Sequence, residues 1–131
     1  MILVDTSVWI DWLRRGTRPG SRILERLLDV QDIALAAVIL QELLQGARGV
    51  SELARLRNAF AGLPLLVPDA DTYADAGALY ARCRWAGITP RSPHGCLIAQ
   101  TAIEHGLPLL HDDADFERIA AVESRLRLLA T

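Results

Sequence analysis

Three short apolar runs of this chain are each followed by a carboxylate that a purely buried segment does not need. The first run leads into Asp5, the second is followed by Glu42, and the third leads into a segment that contains Asp113 and Asp115. Carboxylates at the ends of buried elements lose hydration and repel one another unless a cation offsets their charge. A metal ion is the simplest such cation. The pattern therefore indicates a site built from distant parts of the chain.

The elements that must position these acids alternate between strands and helices. Apolar runs predict strands, and helically spaced apolar residues between them predict helices. The predicted strands cover 1–5, 32–36, 63–67, 107–111 and 126–129. The predicted helices cover 6–16, 21–30, 37–47, 51–61, 69–87, 92–106 and 115–121. Because the strands are apolar throughout, we expect an α/β fold, a three-layer sandwich with a parallel central sheet flanked by helices.

Acids follow two of the predicted strands. In a parallel sheet the ligand site lies beyond the carboxyl ends of the strands, and Asp5 and the pair Asp112 and Asp113 hold that position. A single acid after a strand is more commonly a helix cap or a charge that favours the helix N-terminus. A second acid at a neighbouring strand end favours a shared site over two separate caps.

Glu42 lies on the helix predicted over 37–47. Gln41, Gln45 and Arg48 form the solvated stripe of that helix, and Glu42 is rotated by roughly 100° from Gln41. This places its carboxylate among apolar neighbours, where a functional site explains it better than solvent does. The alternative is a surface acid whose side chain reaches water.

Length and composition predict one compact domain over residues 1–131, with 51% hydrophobic residues and a real core. The longest apolar stretch, 33–40, is much shorter than the roughly 20 residues of a membrane span, so we expect a cytoplasmic protein. Cys83 and Cys96 lack the spacing of a zinc site or a disulfide framework, and we expect both to be buried thiols.

All fourteen basic residues are arginine, and the formal net charge is −2. The absence of lysine excludes a Walker-type phosphate loop and disfavours phosphorylated-aspartate families that rely on a nearby lysine. Arginine binds phosphates bidentately, so local clusters could hold a nucleic acid backbone. An ion-paired, solvated surface is the alternative for each of them. The two clusters are Arg14, Arg15 and Arg18, and Arg82, Arg84 and Arg91.

Four segments together carry a family resemblance: 1–10, 40–46, 96–103 and 111–116. In their order and spacing they resemble the PIN-domain ribonucleases, and more narrowly the VapC-type toxins of bacterial type II toxin–antitoxin pairs. The resemblance implies a PIN-like fold and endonucleolytic cleavage of RNA that depends on Mg²⁺ or Mn²⁺. It also implies a homodimer and a small VapB-type antitoxin as partner.

The resemblance also assigns roles by position. Asp5, Glu42 and Asp113 match the family's catalytic acids, and Asp5 and Asp113 match metal ligands, with Asp115 as a nearby accessory ligand. The polar residues after the first acid, which would support the ligands or contact the phosphate, are Thr6 and Ser7.

The chain departs from the family at Gly95, where the family has its third acid. An aspartate there would lie in the first turn of the helix that starts at Ser92 and Pro93, where a carboxylate is stabilised. Glycine instead costs roughly 0.5–1 kcal/mol relative to alanine. The chain is either a natural degenerate copy or carries a substitution selected or engineered against toxicity, or else His94 or Asp115 takes over coordination, which is the weakest explanation.

From these residues we expect Asp5 and Asp113 to hold a metal, Glu42 to position a water, and Gly95 to lower metal affinity and turnover. Two alternatives remain open. One is a catalytically inactive PIN-fold module that dimerises and sequesters antitoxin or RNA. The other is a deoxyribonuclease, because no residue distinguishes the two sugars.

Overall fold

The elements alternate along the chain as the apolar pattern predicts. A computed structural model describes residues 1–129, so the last two residues of the domain predicted over 1–131 lie outside the described residues. The strands are β1 (Ile2–Val4), β2 (Ile33–Ala36), β3 (Leu65–Leu66) and β4 (Leu109–Leu110). The helices are α1 (Thr6–Leu13), α2 (Pro19–Asp29), α3 (Ala37–Gln45), α4 (Val50–Phe60), α5 (Ala70–Trp85), α6 (Pro93–Glu104) and α7 (Ala114–Val122).

The strands form one parallel sheet in the order β3-β2-β1-β4. β1 lies in its middle, with Leu3 opposite Ala34 of β2 and Leu109 of β4. Helices flank the sheet, so the predicted three-layer α/β sandwich is confirmed. Because β1 and β4 are adjacent and parallel, the residues that follow them meet at one edge of the sheet.

The strand predicted over 126–129 is reduced to a single parallel bridge between Leu128 and Leu109. The amide of Leu109 donates to the carbonyl of Arg127 at 2.9 Å, and the amide of Leu129 donates to the carbonyl of Leu109 at 2.8 Å. The segment therefore lies beside β4 as predicted. It does not form a strand of the predicted length, because a turn at the end of α7 leaves few residues in register with β4.

Three helix starts are set by the capping residues that the sequence offers. Ser92 caps α6 and Pro93 follows at its first turn. Asp69 caps α5 through the amide of Thr72. α2 begins at Pro19, two residues before the predicted start, because proline is favoured at the first helical position.

The core lies on both faces of the sheet and accounts for the apolar runs. Leu3 and Val4 are fully buried, as are Leu109 and Leu110. Trp9 packs edge-to-face on Trp12 and Phe60, at ring-centroid distances of 5.9 and 5.1 Å. Both cysteines are buried free thiols, as predicted, and burial raises the pKa of Cys96 to about 12. Within residues 1–129, no helix is both long and apolar enough to cross a membrane.

Glu123 fixes the segment after α7 to the rest of the molecule. Its buried carboxylate accepts hydrogen bonds from Arg125 at 2.9 and 3.1 Å and from Arg82 at 3.1 Å. The hydrogen bonds from Arg125, and after them those from Arg82, lower the pKa of Glu123 from 4.5 to about 2. Since the folded pKa lies below the unfolded one, this group stabilises the fold above pH 4.5, and the contribution is lost as pH falls toward 2.

Substituting Glu123→Gln is therefore expected to destabilise the protein at neutral pH by roughly 3 kcal/mol, because the ion pairs are lost while both guanidinium groups stay. Thermal unfolding at pH 7 should show a melting temperature lower by about 10 °C. The matched control is Glu25→Gln, an exposed acid of α2, which should change it little. Equal melting temperatures for native protein and Glu123→Gln at pH 7 would contradict this role.

Candidate active site

A cavity of about 300 Å³ opens at the carboxyl ends of β1 and β4. It brings together all the site residues predicted from the sequence: Asp5, Thr6, Ser7, Glu42, Gly95, Asp113 and Asp115. Asp5 follows β1, and Asp113 and Asp115 lie at the start of α7, which follows β4. Glu42 lies on α3 and Gly95 on α6. Residues separated by more than a hundred positions therefore share one cavity.

Asp5 is both the cap of α1 and the most buried acid of the cavity. Its Oδ2 accepts hydrogen bonds from the amide of Ser7 at 3.1 Å and from the Ser7 hydroxyl at 2.5 Å. Burial raises the pKa of Asp5, Ser7 opposes this, and the nearby charge of Glu42 raises it further. The buried carboxylate thus has hydrogen bonds, and no arginine or histidine within residues 1–129 forms an ion pair with it.

Glu42 is half-buried and directed into the cavity. The Thr6 hydroxyl donates to its Oε1 at 2.9 Å, and its Oε2 lies 3.7 Å from Nδ1 of His94. On the exposed side of the helix, Gln41 donates to Gln45 at 3.0 Å. Glu42 therefore points away from the exposed side of α3, as its rotation from Gln41 predicts. Arg48 lies beyond the end of α3, so it is not part of that stripe.

Asp113 and Asp115 lie at the start of α7, where Asp113 is the cap and accepts from the Asp115 amide at 3.0 Å. Arg91 donates to Asp113 through Nη2 at 2.6 Å, and to Asp115 through Nε at 3.3 Å and its amide at 3.0 Å. Arg118 donates to the other oxygen of Asp115 at 2.7 Å. The amide of Arg91 and then these guanidinium contacts lower the pKa of Asp115.

Thr6 and Ser7 contact the acids: Thr6 donates to Glu42 and Ser7 to Asp5. Ser7 also joins the two strand ends, since its hydroxyl accepts from the amide of Asp112 at 3.0 Å. Arg18 pairs with the side chain of Asp112 on the neighbouring surface. Three of the arginines considered for nucleic acid contact therefore already have acidic partners: Arg18, Arg82 and Arg91.

Arg91 and His94 both line the cavity. From the sequence, Arg91 was expected only as a possible nucleic acid contact and His94 only as a substitute metal ligand. Arg91 was grouped with Arg82 and Arg84, but Arg82 pairs with Glu123 and only Arg91 of the three lines the cavity. The signal that could have identified it is its position directly before the cap of α6. Residues flanking a helix start at a site edge are well placed to enter that site.

Gly95 occupies the third position of α6 with ordinary helical backbone. A Cβ placed there would meet a single neighbour, Cδ1 of Ile119 at 3.6 Å, which is ordinary van der Waals contact. Steric crowding therefore does not account for glycine at this position. An aspartate side chain could be accommodated without displacing the backbone.

The donor chemistry of the cavity suits a hard divalent cation. Mg²⁺ prefers carboxylate oxygens and is often held by one or two of them, with waters and substrate phosphates completing its shell. The buried, uncompensated charge of Asp5 beside Glu42 fits such a cation. Among residues 1–129, no three His, Cys, Asp or Glu side chains are grouped closely enough to hold a metal ion by themselves. The carboxylates present thus fit a cation that takes one or two protein ligands, with the rest of its shell supplied by water or substrate.

Comparisons with known proteins agree with this architecture. The model of the PIN domain family matches residues 2–122. VapC ribonuclease Mb1587 of Mycobacterium bovis is 39% identical over 125 residues, which cover 93% of each chain. Ribonuclease VapC51 of Mycobacterium tuberculosis is 33% identical over 121 residues, covering 92% of this chain and 85% of that protein.

Solved structures share the fold at lower identity. The crystal structure of VapBC2 from Rickettsia felis bound to a promoter DNA fragment matches with a TM-score of 0.75 and 19% identity, covering 98% of both chains. VapBC-1 from nontypeable Haemophilus influenzae matches with a TM-score of 0.74 and 18% identity, covering 98% of this chain and 97% of that one. The strand-end acids, the fold and these relatives together establish that the chain belongs to the PIN-domain family and, within it, to the VapC proteins.

Proposed function

We propose that this chain is the toxin of a toxin–antitoxin pair and an endoribonuclease that cleaves RNA phosphodiester bonds with Mg²⁺ or Mn²⁺. The observation that carries the proposal is the convergence of Asp5, Glu42 and Asp113 on one cavity, with Asp5 buried and without an ion-pair partner within residues 1–129. Relatives named ribonuclease, at 39% identity over 93% of the chain, support the same reaction.

Asp5 and Asp113 are the residues proposed to hold the cation. A bound divalent cation supplies charge neutralisation on the phosphate and activation of water for attack. Glu42 positions that water: its Oε1 is fixed by Thr6, which leaves Oε2 to accept a proton. Asp115, predicted as a further ligand, is proposed to act through Asp113 instead, because both of its oxygens already accept hydrogen bonds from arginines.

Gly95 is proposed to weaken the site. The family's third acid would add a carboxylate to the cavity from the first turn of α6, and its loss leaves fewer anionic oxygens for the cation. We therefore expect lower metal affinity and slower turnover than a chain with aspartate at this position.

Cleavage of matched substrates tests the reaction and the sugar preference together. We expect cleavage of a single-stranded RNA in Mg²⁺, loss of cleavage in EDTA, and no cleavage of a DNA of the same base sequence. Equal cleavage of the DNA would favour the deoxyribonuclease alternative. Absence of RNA cleavage by both the native chain and Gly95→Asp, across a panel of RNAs, would contradict the proposed reaction.

A catalytically inactive PIN-fold module that sequesters antitoxin or RNA is the second candidate. It is favoured by the lack of a three-residue ligand group within residues 1–129 and by glycine at position 95. Thermal unfolding with and without Mn²⁺ separates the two, since a ligand that binds only the folded state raises the melting temperature. No shift with millimolar Mn²⁺ would favour the binding module.

A VapB-type antitoxin and a second copy of the chain are the proposed partners. Structures of similar fold were solved as VapBC complexes, which supports the antitoxin. For the homodimer, Tyr73 and Tyr80 line a mostly apolar groove beside His94, and Tyr73 is 58% exposed. Trp85, which is 77% exposed, is a further candidate, whereas Trp9 is buried in the core. Light scattering of the purified chain gives the mass that tests the dimer.

A further inference from the structure

Arg91 places a permanent positive charge inside the acidic cavity. Its guanidinium spans two acids, with Nη2 at 2.6 Å from Oδ1 of Asp113 and Nε at 3.3 Å from Oδ2 of Asp115. Arginine stays protonated at any relevant pH, and these contacts raise its pKa further. The charge is thus always present at the mouth of the site.

The backbone and the side chain of Arg91 are held differently. Its amide donates to Oδ2 of Asp115 at 3.0 Å, which ties the segment before α6 to the start of α7. Its side chain is 74% exposed, and the Asp113 side chain is 30% exposed. The backbone contact is thus independent of the guanidinium, and the guanidinium can leave Asp113 without opening the core.

Asp113 offers a limited number of positions to a cation. Its Oδ1 already accepts from the Asp115 amide at 3.0 Å and from Nη2 of Arg91. A divalent cation binding this carboxylate must displace the guanidinium or bind close to its positive charge, and like charges at this distance repel. The same contact fixes the carboxylate in one orientation when no cation is bound.

We propose that Arg91 is a positioning residue of the site, which orients Asp113 and Asp115 and competes with the divalent cation for the Asp113 carboxylate. The inference rests on the proposed function, because it takes the cavity to bind such a cation. It assigns to Arg91 a role that differs from that of Arg118, which contacts only Oδ1 of Asp115.

Calorimetric titration with Mn²⁺ tests the competition without relying on activity. Arg91→Gln should bind Mn²⁺ about 3- to 10-fold more tightly than the native chain, since an exposed ion pair no longer has to be broken. The matched control is Arg118→Gln, which removes the same charge from Asp115 but no contact with Asp113, and it should stay within about 2-fold of native. Arg91→Lys, which keeps the charge, should return the affinity toward the native value.

Two results would contradict the proposed competition and leave the metal site in place. One is that Arg91→Gln binds Mn²⁺ no more tightly than the native chain. The other is that Arg118→Gln gains as much Mn²⁺ affinity as Arg91→Gln. If neither the native chain nor Arg91→Gln binds Mn²⁺, the proposed metal site fails and the competition fails with it. Circular dichroism and metal-free unfolding of all three variants establish whether they are folded. The Arg91 variants are expected to fold because they retain the amide contact to Asp115.

Discussion

Replacing Gly95 with aspartate is expected to raise the rate of RNA cleavage in Mg²⁺ by at least about 10-fold, the scale at which residues around a metal affect activity. The new carboxylate would enter a cavity that already holds Asp5 and Glu42. It would also lie in the first turn of α6, where the helix N-terminus favours negative charge. Among residues 1–129 its Cβ would meet Cδ1 of Ile119 at 3.6 Å, an ordinary van der Waals contact, so the backbone can stay in place.

The measurement is the initial rate of cleavage of one labelled RNA by equal concentrations of native chain, Gly95→Asp and Gly95→Asn. Asparagine has nearly the shape of aspartate and also suits a helix start, but it lacks the charge. An equal gain in Gly95→Asn would indicate that helix stabilisation, and not a metal ligand, is responsible. Equal rates for native chain and Gly95→Asp would show that Gly95 does not impair the site.

Replacing Asp5 with asparagine is expected to reduce RNA cleavage by at least about 100-fold, because the most buried proposed metal ligand loses its charge. The same change should leave the melting temperature at pH 7 unchanged or higher. Asparagine can keep the cap of α1, and it removes a buried charge that has no partner cation. Loss of activity without loss of stability distinguishes a functional acid from a structural one.

The pH dependence of this stability difference follows from the direction of the pKa shift. Burial raises the pKa of Asp5 in the folded state above its ordinary value of 3.8. Asp5 therefore destabilises the fold as pH rises through this range, and the full effect is present at neutral pH. The advantage of Asp5→Asn in metal-free unfolding should accordingly be greatest near pH 7 and decrease as pH falls toward 4.

A second helix-capping aspartate supplies the control. Asp69 caps α5 at an exposed position, and hydrogen bonds from Thr72 lower its pKa. Asp69→Asn should leave RNA cleavage unchanged and should not raise the melting temperature at pH 7. The Asp5→Asn substitution can be made in the native chain or in Gly95→Asp. Full cleavage by either of these variants would show that Asp5 is not a ligand of the catalytic metal.

The positions of the acids could be predicted from the sequence where they follow from local periodicity. Asp5 comes directly after β1 and Asp113 lies three residues after the end of β4, and parallel strands place such residues at one edge of the sheet. Glu42 followed from the rotation of one residue along a helix whose exposed side is marked by Gln41 and Gln45. In each case a short sequence pattern is enough to predict where the side chain lies, because the strand or helix that carries the residue, or ends beside it, fixes its direction.

Contacts between irregular segments could not be predicted in this way. Arg91 reaches Asp113 and Asp115 because the connection before α6 lies beside the start of α7, and no periodicity records that approach. The length of the strand expected over 126–129 was overestimated for a similar reason. Its apolar residues are suitable for a strand, but the turn after α7 limits its pairing with β4 to the bridge at Leu128.

The central claim is that these acids form a metal site that lacks one ligand. The affinity of the cavity for Mn²⁺ tests this claim most directly. Titration calorimetry on native chain, Gly95→Asp and Gly95→Asn should give an affinity at least about 10-fold higher for Gly95→Asp alone. Adding Asp5→Asn to Gly95→Asp should abolish that gain. Equal Mn²⁺ affinity in all of these proteins would contradict a cation site built from Asp5, Glu42 and Asp113 and weakened at Gly95.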